Sequence, residues 1–540
     1  MNVGVWVLAW LLIWATLPIQ AQKRHNILWI NVEDMSPRLS FYGDSTIATP
    51  NLDKLASEST IFDHCYSVSG VCAPSRASLI TGLYPTSFGA QHLGNMQKTS
   101  ALDQISDSAL LSRYLSIPLY EAVPPVGIKC FTEHLRAEGY FCTNNAKTDY
   151  QFEVPITAWD QNDNNAHWKN RKPGQSFFSV FNLEITHESK IRERTKEPLQ
   201  VNPSDINVPP YYPNTASMRH DLAVHYSNIK AMDDQVGQLI ADLKNAGLYD
   251  STIIFFFSDH GDGLPRAKRW LYDSGTKVPL LVRIPGQPAG RHLSLISFVD
   301  FAPTVLSLAN IIPKRNLHGQ GFLGRFSSPR KNRYLFAARD RHDIDFDRVR
   351  SVRNHKYKLI RNYLPEQPYL MPLPYRDQLY CMEDIYQLRK SKTLEAPFRF
   401  WVNGPRPELE LYDTETDLHA INNLVQDPKY KSILIELTEQ LQQWQTRIPD
   451  LSELEEYRMV KHLHIDGQQA TTAKPNVSVK GVFLIVECAT PGSSIAWRAV
   501  GENQAWQLYT KPVPISVNEI EVLAHKIGFK PSQTVQFTLK

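Results

Sequence analysis

The feature that most constrains the fold of this 540-residue chain is a set of short, almost continuously apolar segments. They are residues 26–32 (NILWINV), 177–183 (FFSVFNL), 252–257 (TIIFFF) and 278–284 (VPLLVRI). Strands of this kind are typical of a parallel sheet that is buried on both faces. Because helical segments alternate with them, the pattern predicts an α/β fold with a mostly parallel central sheet covered on both sides.

Three helices are predicted around this sheet. Residues 219–246 carry an apolar stripe at helical spacing, and Gly247 is suited to end that helix. Thr49 and Pro50 are typical of a helix start, with a capping hydroxyl followed by proline. Asp300 is predicted to cap a third helix that runs to Leu308.

The amino terminus predicts export. Residues 3–17 are apolar, and the polar residues Gln22, Lys23 and Arg24 follow Ala21. This pattern indicates a signal peptide, residues 1–21, and a periplasmic or secreted protein without stable membrane insertion after cleavage. The alternative is a membrane anchor, although the run is short for a full span. The net charge of +3 is too small to suggest a nucleic-acid partner.

The remaining chain divides by composition into three predicted units. A main domain covers 22–375, and a smaller α+β subdomain covers 376–470, with a strand at 409–413 and a helix near 429–446. Residues 475–540 alternate short β-type runs with turns and predict a small all-β module. This module resembles the β-sandwich of the chitobiase C-terminal type through 508–512 (LYTKP). The sequence leaves open whether Cys130 and Cys142 form a disulfide.

Two of the predicted strands end in pairs of polar residues that include acidic groups. Glu33 and Asp34 follow the first strand, and Asp259 and His260 follow the strand at 252–257. Ligands of open α/β sheets bind beyond the carboxyl ends of strands, so the two pairs are expected to converge. Three carboxylates in one pocket need a cation, and oxygen ligands favour a hard metal, Ca²⁺ or Mg²⁺. A single imidazole argues against zinc.

Residues 72–82 (CAPSRASLITG) carry the most specific motif. They resemble the signature of the type I, formylglycine-dependent sulfatases, C-x-P-S-R-x-x-x-[LI]-T-G, at every fixed position. The resemblance implies an alkaline-phosphatase-like fold and conversion of Cys72 to 3-oxoalanine (formylglycine) by a formylglycine-generating enzyme. Without the resemblance, Cys72 would be interpreted as a buried thiol that begins an ordinary helix.

The same resemblance implies the other site residues. One Ca²⁺ would be held by Glu33, Asp34, residue 72, Asp259 and His260, although the family usually has Asp where this chain has Glu33. Arg76 would hold the hydroxyls of residue 72. The remaining implied catalytic residues are Lys147 and Lys268 on the sulfate oxygens, His187 at the leaving atom, and Asp149, which stands where the family often has histidine.

Four segments resemble a narrower group of bacterial sulfatases that are similar to heparan N-sulfatase (sulfamidase). They are 32–37 (VEDMSP), 120–125 (YEAVPP), 186–189 (THES) and 268–270 (KRW). The implied function is hydrolysis of a sulfate ester or sulfamate on a sulfated carbohydrate. Two alternatives stay open: a phosphomonoester or phosphonate ester hydrolase of the same superfamily, and a glycan-binding protein with an unconverted Cys72.

Overall fold

The structure is a computed structural model that describes residues 24–538, apart from 99–101, 104, 345, 392, 394–397, 404, 465–466, 502–504 and 515–516. The predicted signal peptide, residues 1–21, lies outside the described residues.

The strands in chain order are β1 Asn26–Val32, β2 Thr60–Phe62, β3 Cys65–Tyr66, β4 Phe141–Asn145, β5 Gln161–Asn162, β6 Phe177–Leu183, β7 Thr252–Ser258, β8 Lys277–Val278, β9 Leu280–Arg283, β10 Gly290–His292, β11 Ile296–Ser297, β12 Leu335–Arg339, β13 Val349–Arg353, β14 Tyr357–Asn362, β15 Leu409–Asp413, β16 Asn476–Lys480, β17 Phe483–Glu487, β18 Ser494–Ala499, β19 Gln507–Tyr509, β20 Val513–Pro514, β21 Glu519–His525 and β22 Val535–Thr538. The α-helices are α1 Pro50–Ala56, α2 Cys72–Thr81, α3 Ser108–Leu115, α4 Phe131–Ala137, α5 Glu188–Glu193, α6 Ala216–Asn245, α7 Asp273–Thr276, α8 Phe301–Leu308, α9 Tyr380–Ser391, α10 Phe398–Asn403, α11 Lys431–Arg447 and α12 Glu456–Leu463.

The central sheet has eight strands in the order β10-β2-β9-β7-β1-β6-β4-β5. Within the described chain, β9 is the strand of this sheet that runs antiparallel to its neighbours, so the sheet is mostly parallel, as predicted. Val32 of β1 pairs with Leu183 of β6 and with Ser258 of β7. The three strands therefore end level, and the residues that follow them begin at the same edge of the sheet.

Both faces of the central sheet are buried. Ile27 and Trp29 of β1 belong to one apolar core, whereas Leu28, Ile30 and Val32 belong to another. Helices α2, α4 and α8 contribute to the first core, and α1 and α6 contribute to the second. This two-sided burial explains why the strands are continuously apolar rather than alternating.

The long helix α6 begins three residues earlier than its apolar stripe predicts. The hydroxyl of Thr215 accepts a hydrogen bond from the backbone N–H of Met218 at 3.2 Å, which caps the helix. The stripe locates the buried face of the helix, and the cap determines where the helix starts.

The predicted cap of α1 by Thr49 is wrong. Thr49 does precede the helix, but its hydroxyl is buried and makes no hydrogen bond within the described residues. The carboxylate of Asp233, in α6, accepts hydrogen bonds from the backbone N–H groups of Leu52 (2.8 Å) and Asn51 (3.3 Å) instead. A residue 181 positions away therefore satisfies these free donors of α1.

The predicted cap of α8 by Asp300 is also wrong. Its carboxylate accepts hydrogen bonds from the backbone N–H groups of Ser297 and Gln320, both at 2.9 Å, and makes no bond to the start of α8. Asp300 thus joins two loops instead of capping its own helix.

A second sheet is antiparallel, in the order β12-β13-β14-β15, and α11 packs against it. The predicted strand at 409–413 is β15, and the predicted helix near 429–446 is α11. The domain boundary predicted at residues 375 and 376 falls between β14 and β15, where Leu359 pairs with Leu411. The two predicted units therefore share this sheet.

The last part of the chain forms two small sheets, in the orders β16-β17-β20 and β19-β18-β21-β22. Residues from both sheets enclose a separate apolar core of Leu484, Val486, Trp497, Ile520 and Val522. Residues 476–538 are called the C-terminal module below. The arrangement agrees with the predicted small all-β unit.

All six cysteines are free thiols, including Cys130 and Cys142. Among the helices that the structure describes, none combines the length and apolarity needed to cross a bilayer.

Candidate active site

The polar residues that follow β1 and β7 meet the start of α2 at one edge of the central sheet. Glu33 and Asp34 follow β1, and Asp259 and His260 follow β7. Cys72 is the first residue of α2, and its Sγ lies 3.4 Å from His260 Nε2 and 3.8 Å from Glu33 Oε2. All five side chains are buried. The structure thus brings together the five predicted metal ligands.

Two cations surround Glu33. Arg76 lies one turn into α2, contacts Glu33 Oε1 through Nη2, and has its Nε 3.5 Å from Asp259 Oδ2. Lys147 Nζ lies 2.7 Å from Glu33 Oε2. Burial opposes ionisation, but the charges of Arg76 and Lys147 lower the pKa of Glu33 to about 2. Both oxygens of Glu33 are therefore paired with cations.

Lys268 and His187 lie on the other side of the cluster. Lys268 Nζ donates a hydrogen bond to Asp34 Oδ2 at 2.6 Å and lies 3.4 Å from His187 Nε2. Burial opposes the charge of Lys268, but Asp34 raises its pKa. Burial, and then the charge of Lys268, lower the pKa of His187 to about 4. At neutral pH the ammonium holds the proton and the imidazole is neutral.

Two buried carboxylate oxygens in this cluster lie beside basic side chains. Asp34 Oδ1 is 2.9 Å from His260 Nε2, and Asp259 Oδ2 is 3.5 Å from Arg76 Nε. Burying several carboxylates together is costly without further positive charge, so the cluster fits a bound cation. Ligand atoms of Asp34, Cys72, Asp259 and His260 all lie within 4.8 Å of one another. A donor set rich in carboxylate oxygens suits a hard divalent cation.

Three residues of the site were not predicted from the sequence. Asn182 of β6 accepts a hydrogen bond from Arg76 Nη1 at 2.8 Å. The backbone N–H of Glu188 donates to Asp34 Oδ2 at 2.7 Å, and its carboxylate binds both Nη atoms of Arg269 at 2.9 and 3.0 Å. The polar Asn182 in an apolar strand is a signal that could have identified it. Glu188 and Arg269 lie in the family-like segments 186–189 and 268–270, but no local pattern predicts that they pair with each other across 81 residues.

An open cleft of about 660 Å³ adjoins the cluster. Its lining includes Ala73, which follows Cys72, and Thr148, which follows Lys147. The charged residues of the lining are four carboxylates and one lysine, namely Glu121, Asp149, Glu153, Asp343 and Lys98. We call it the acidic cleft because hydrogen-bond acceptors and negative charge predominate on it.

Asp149 lies in this cleft. Its carboxylate is 3.5 Å from Lys147 Nζ, and its backbone φ is 52°. Ala146 and Gln151 also have positive φ, at 63° and 58°. Non-glycine residues in this conformation are strained and concentrate at functional sites. The catalytic role of Asp149 stays a prediction.

Comparisons with known proteins agree with this geometry. A family model described as Sulfatase matches residues 25–116 and 136–311. A second, described as N-sulphoglucosamine sulphohydrolase, C-terminal, matches residues 266–399. An Ulvan-active sulfatase of Formosa agariphila is 38% identical over 96% of this chain and 92% of its own length. The human N-sulphoglucosamine sulphohydrolase is 26% identical over 79% of this chain and 91% of its own length.

Two solved structures share the fold. BT4656, in complex with its substrate D-glucosamine-2-N,6-O-disulfate, has a TM-score of 0.55 and 17% identity, covering 81% of this chain and 98% of its own. The phosphonate monoester hydrolase of Agrobacterium radiobacter has a TM-score of 0.55 and 16% identity, covering 78% and 96%. The predicted alkaline-phosphatase-like sulfatase fold is therefore confirmed.

Proposed function

This chain belongs to the sulfatase family, and we propose that it hydrolyses a sulfate ester or sulfamate on a sulfated carbohydrate. The observation that best supports this is the convergence of Cys72, two pairs of metal-type ligands and two lysines at one sheet edge. The relatives' names, ulvan-active and N-sulphoglucosamine, both point to a carbohydrate.

We infer that a formylglycine-generating enzyme converts Cys72 to 3-oxoalanine and that one Ca²⁺, rather than Mg²⁺, binds beside it. When hydrated, the aldehyde supplies one hydroxyl to attack sulfur and a second through which sulfate is expelled. Asp34, Asp259 and His260 would hold the ion, with Glu33 and residue 72 completing the set. The complete signature at 72–82 supports this assignment, as do the ligand atoms of Asp34, Cys72, Asp259 and His260, which all lie within 4.8 Å of one another.

The cationic side chains around residue 72 would balance the negative charge of the reacting sulfate group. Arg76 would hold the hydroxyls of residue 72, and Lys147 and Lys268 would neutralise the sulfate oxygens. Lys268, or His187 at 3.4 Å from it, would protonate the leaving oxygen or nitrogen, and the lowered pKa of His187 favours Lys268 as the donor. Asp149 would take the proton from the second hydroxyl.

The acidic cleft would receive the sugar. Its carboxylates accept hydrogen bonds from sugar hydroxyls and repel further anions. It therefore favours a ring whose reacting sulfate is its main negative charge.

Export to the periplasm or the medium is proposed from residues 1–21 alone. The maturation partner is the formylglycine-generating enzyme, and neither a nucleic-acid partner nor stable membrane insertion is expected.

The alternative function is hydrolysis of a phosphomonoester or phosphonate ester, because phosphonate monoester hydrolases share the fold. Parallel assays on sulfate, sulfamate, phosphate and phosphonate esters decide between them. We expect kcat/KM to be highest for a sulfated sugar. A higher value for a phosphate or phosphonate ester would reject the proposal. An unmodified thiol at residue 72 in protein from the native host, with no turnover, would favour a glycan-binding protein.

A further inference from the structure

A turn of the C-terminal module is inserted into the main domain. Ile527, which is 4% exposed, belongs to the apolar core that contains Phe131 and Tyr150 of the main domain. It is not part of the core that the two sheets of the module enclose. Residues 526–530, called the docking turn, therefore fasten the module to the main domain.

The backbone of the docking turn lies directly against the main domain. Gly528 has a φ of 83°, and a Cβ placed on it would lie 2.5 Å from the carbonyl oxygen of Ala122 and 2.7 Å from Val123 Cγ2. No larger residue fits at this distance without a shift. The turn is itself held, because the backbone N–H of Lys530 donates to Ala470 O at 2.8 Å.

The segment under the docking turn forms a wall of the acidic cleft. Tyr120 and Glu121 line the cleft, and the next residue is Ala122. The backbone N–H of Ala122 donates to Gln151 O at 2.9 Å, and that of Glu153 donates to Glu121 Oε2 at 3.0 Å. These bonds join residues 120–122 to residues 150–153, which also line the cleft. We call the two segments together the cleft wall.

Further contacts hold the module in the same place. Arg136 Nη2 donates to Trp506 O at 3.0 Å while its Nε and Nη2 also bind Asp160 Oδ1. The side chain of Arg136 is buried and has partners both in the module and in the main domain, so the contact opposes sliding of the module.

The module offers little aromatic surface for stacking on sugars. In the part of it that the structure describes, Trp497 is buried in its core and Phe483 is 44% exposed, while the other aromatic residues are half-buried, namely Trp506, Tyr509, Phe529 and Phe537. A flexible carbohydrate-binding role therefore has less support than a fixed position beside the cleft.

We propose that the C-terminal module is a positioning element of the substrate cleft: its docking turn fixes the cleft wall, and Ile527 and Gly528 are the positioning residues. The proposal rests on the proposed function only in naming a sulfated carbohydrate as the occupant of the cleft.

The test uses two glycines of the module in the full-length protein. Gly528→Ala places a methyl group against Ala122, whereas Gly481→Ala is the control, because Gly481 also has a positive φ, 60°, but no atom lies within 4 Å of an added Cβ. Amide hydrogen exchange of the cleft wall is measured in both. We expect about tenfold faster exchange of the wall in Gly528→Ala and wild-type exchange there in Gly481→Ala.

Kinetics give an independent readout. For the carbohydrate substrate, Gly528→Ala should raise KM by about threefold to tenfold and leave kcat within about twofold, because the wall positions the sugar and not the sulfate. Equal exchange of the wall in the two alanine variants would overturn the proposal, whatever the activity. If no ester is hydrolysed, the proposed function fails, and the exchange result still decides the role of the module.

A second pair of variants covers failure of Gly528→Ala to fold. Ile527→Val removes one methylene group at the junction, and Ile520→Val removes one from the module's own core. Faster exchange of the cleft wall in Ile527→Val alone supports the proposal. The same change in both variants, or in neither, contradicts it.

Discussion

At the scale of single residues, the carboxylates of the site differ in what surrounds them. Glu33 is paired with Arg76 and Lys147 at hydrogen-bond distance, whereas Asp259 Oδ2 lies 3.5 Å from Arg76 Nε. A buried carboxylate oxygen whose partner is more distant gains more from a bound cation. Metal affinity should therefore depend more steeply on Asp259 than on carboxylates elsewhere.

Asp259→Asn tests this point. We expect the dissociation constant for Ca²⁺ to rise by at least about tenfold, because one anionic ligand becomes neutral. Calorimetric titration of the folded protein with Ca²⁺ measures it. Asp250→Asn is the control, because the side chain of Asp250 is 97% exposed near the start of β7. Unchanged Ca²⁺ affinity in Asp259→Asn would show that the ligand set is wrong.

The charge of the acidic cleft predicts selectivity between sugars. Wild-type protein should prefer a monosulfated sugar to its disulfated form by about tenfold in kcat/KM, since the second anion meets carboxylates. Glu153→Lys should reduce this ratio by at least about threefold. Glu439→Lys, the same change on an exposed residue of α11, should leave the ratio unaltered. A wild-type preference for the disulfated sugar would contradict the charge argument.

At this scale the sequence predicted the residues that carry specific motifs or follow strands. Cys72, Arg76 and Asp259 could be predicted as site residues because each has a local signal, namely the signature or the end of an apolar run. Glu188 and Arg269 were missed because their importance arises from a contact between distant segments.

At the scale of helices and strands, the start of α1 shows that a tertiary contact can replace a helix cap from the neighbouring residue. Asp233 caps α1 from another helix, while the hydroxyl of Thr49 is buried without a partner. The local motif is present, but a carboxylate is a stronger acceptor than a hydroxyl.

We therefore expect Asp233→Ala to lower the free energy of unfolding by about 2 kcal/mol, because two backbone donors lose their acceptor. Thr49→Val should change it by less than about 0.5 kcal/mol, since the hydroxyl makes no bond. Denaturant unfolding of both variants measures these values. A larger loss in Thr49→Val than in Asp233→Ala would restore Thr49 as the cap.

The strands themselves were predictable because burial on both faces leaves a continuous apolar run. The direction of β9 could not be predicted, because an antiparallel strand inside a buried sheet has the same composition as a parallel one.

At the scale of the whole molecule, buried histidines make the free energy of unfolding depend on pH. His92 is buried, and its Nδ1 accepts the backbone N–H of Arg341 at 3.2 Å. Burial lowers the pKa of His92 to about 4 from 6.5. Between these values the unfolded chain binds more protons than the folded one, so stability falls as the pH decreases from 6.5 to 4.

The contribution of His92 to this loss is at most about 3 kcal/mol. His92→Asn keeps an acceptor for Arg341 and removes the titration. We expect its free energy of unfolding to fall less than that of the wild type over this pH range, as measured by denaturant unfolding at several pH values. An identical fall in both proteins would show that His92 does not titrate as stated.

The composition of the chain predicts a main domain, a subdomain and a module. It does not predict how these units are attached to one another. β14 and β15 pair across the predicted boundary, and Ile527 reaches into the core of the main domain. Such contacts join segments that are far apart in sequence, so no local sequence pattern predicts them.

The central claim is that an aldehyde at residue 72 performs the hydrolysis. The most direct measurement determines, on the same protein batches, the fraction of residue 72 present as aldehyde, by peptide mass spectrometry, and the rate of sulfate release. The rate should be proportional to the aldehyde fraction, and a folded Cys72→Ala variant should release none. Full activity in a batch with only the thiol, or in Cys72→Ala, would contradict the claim.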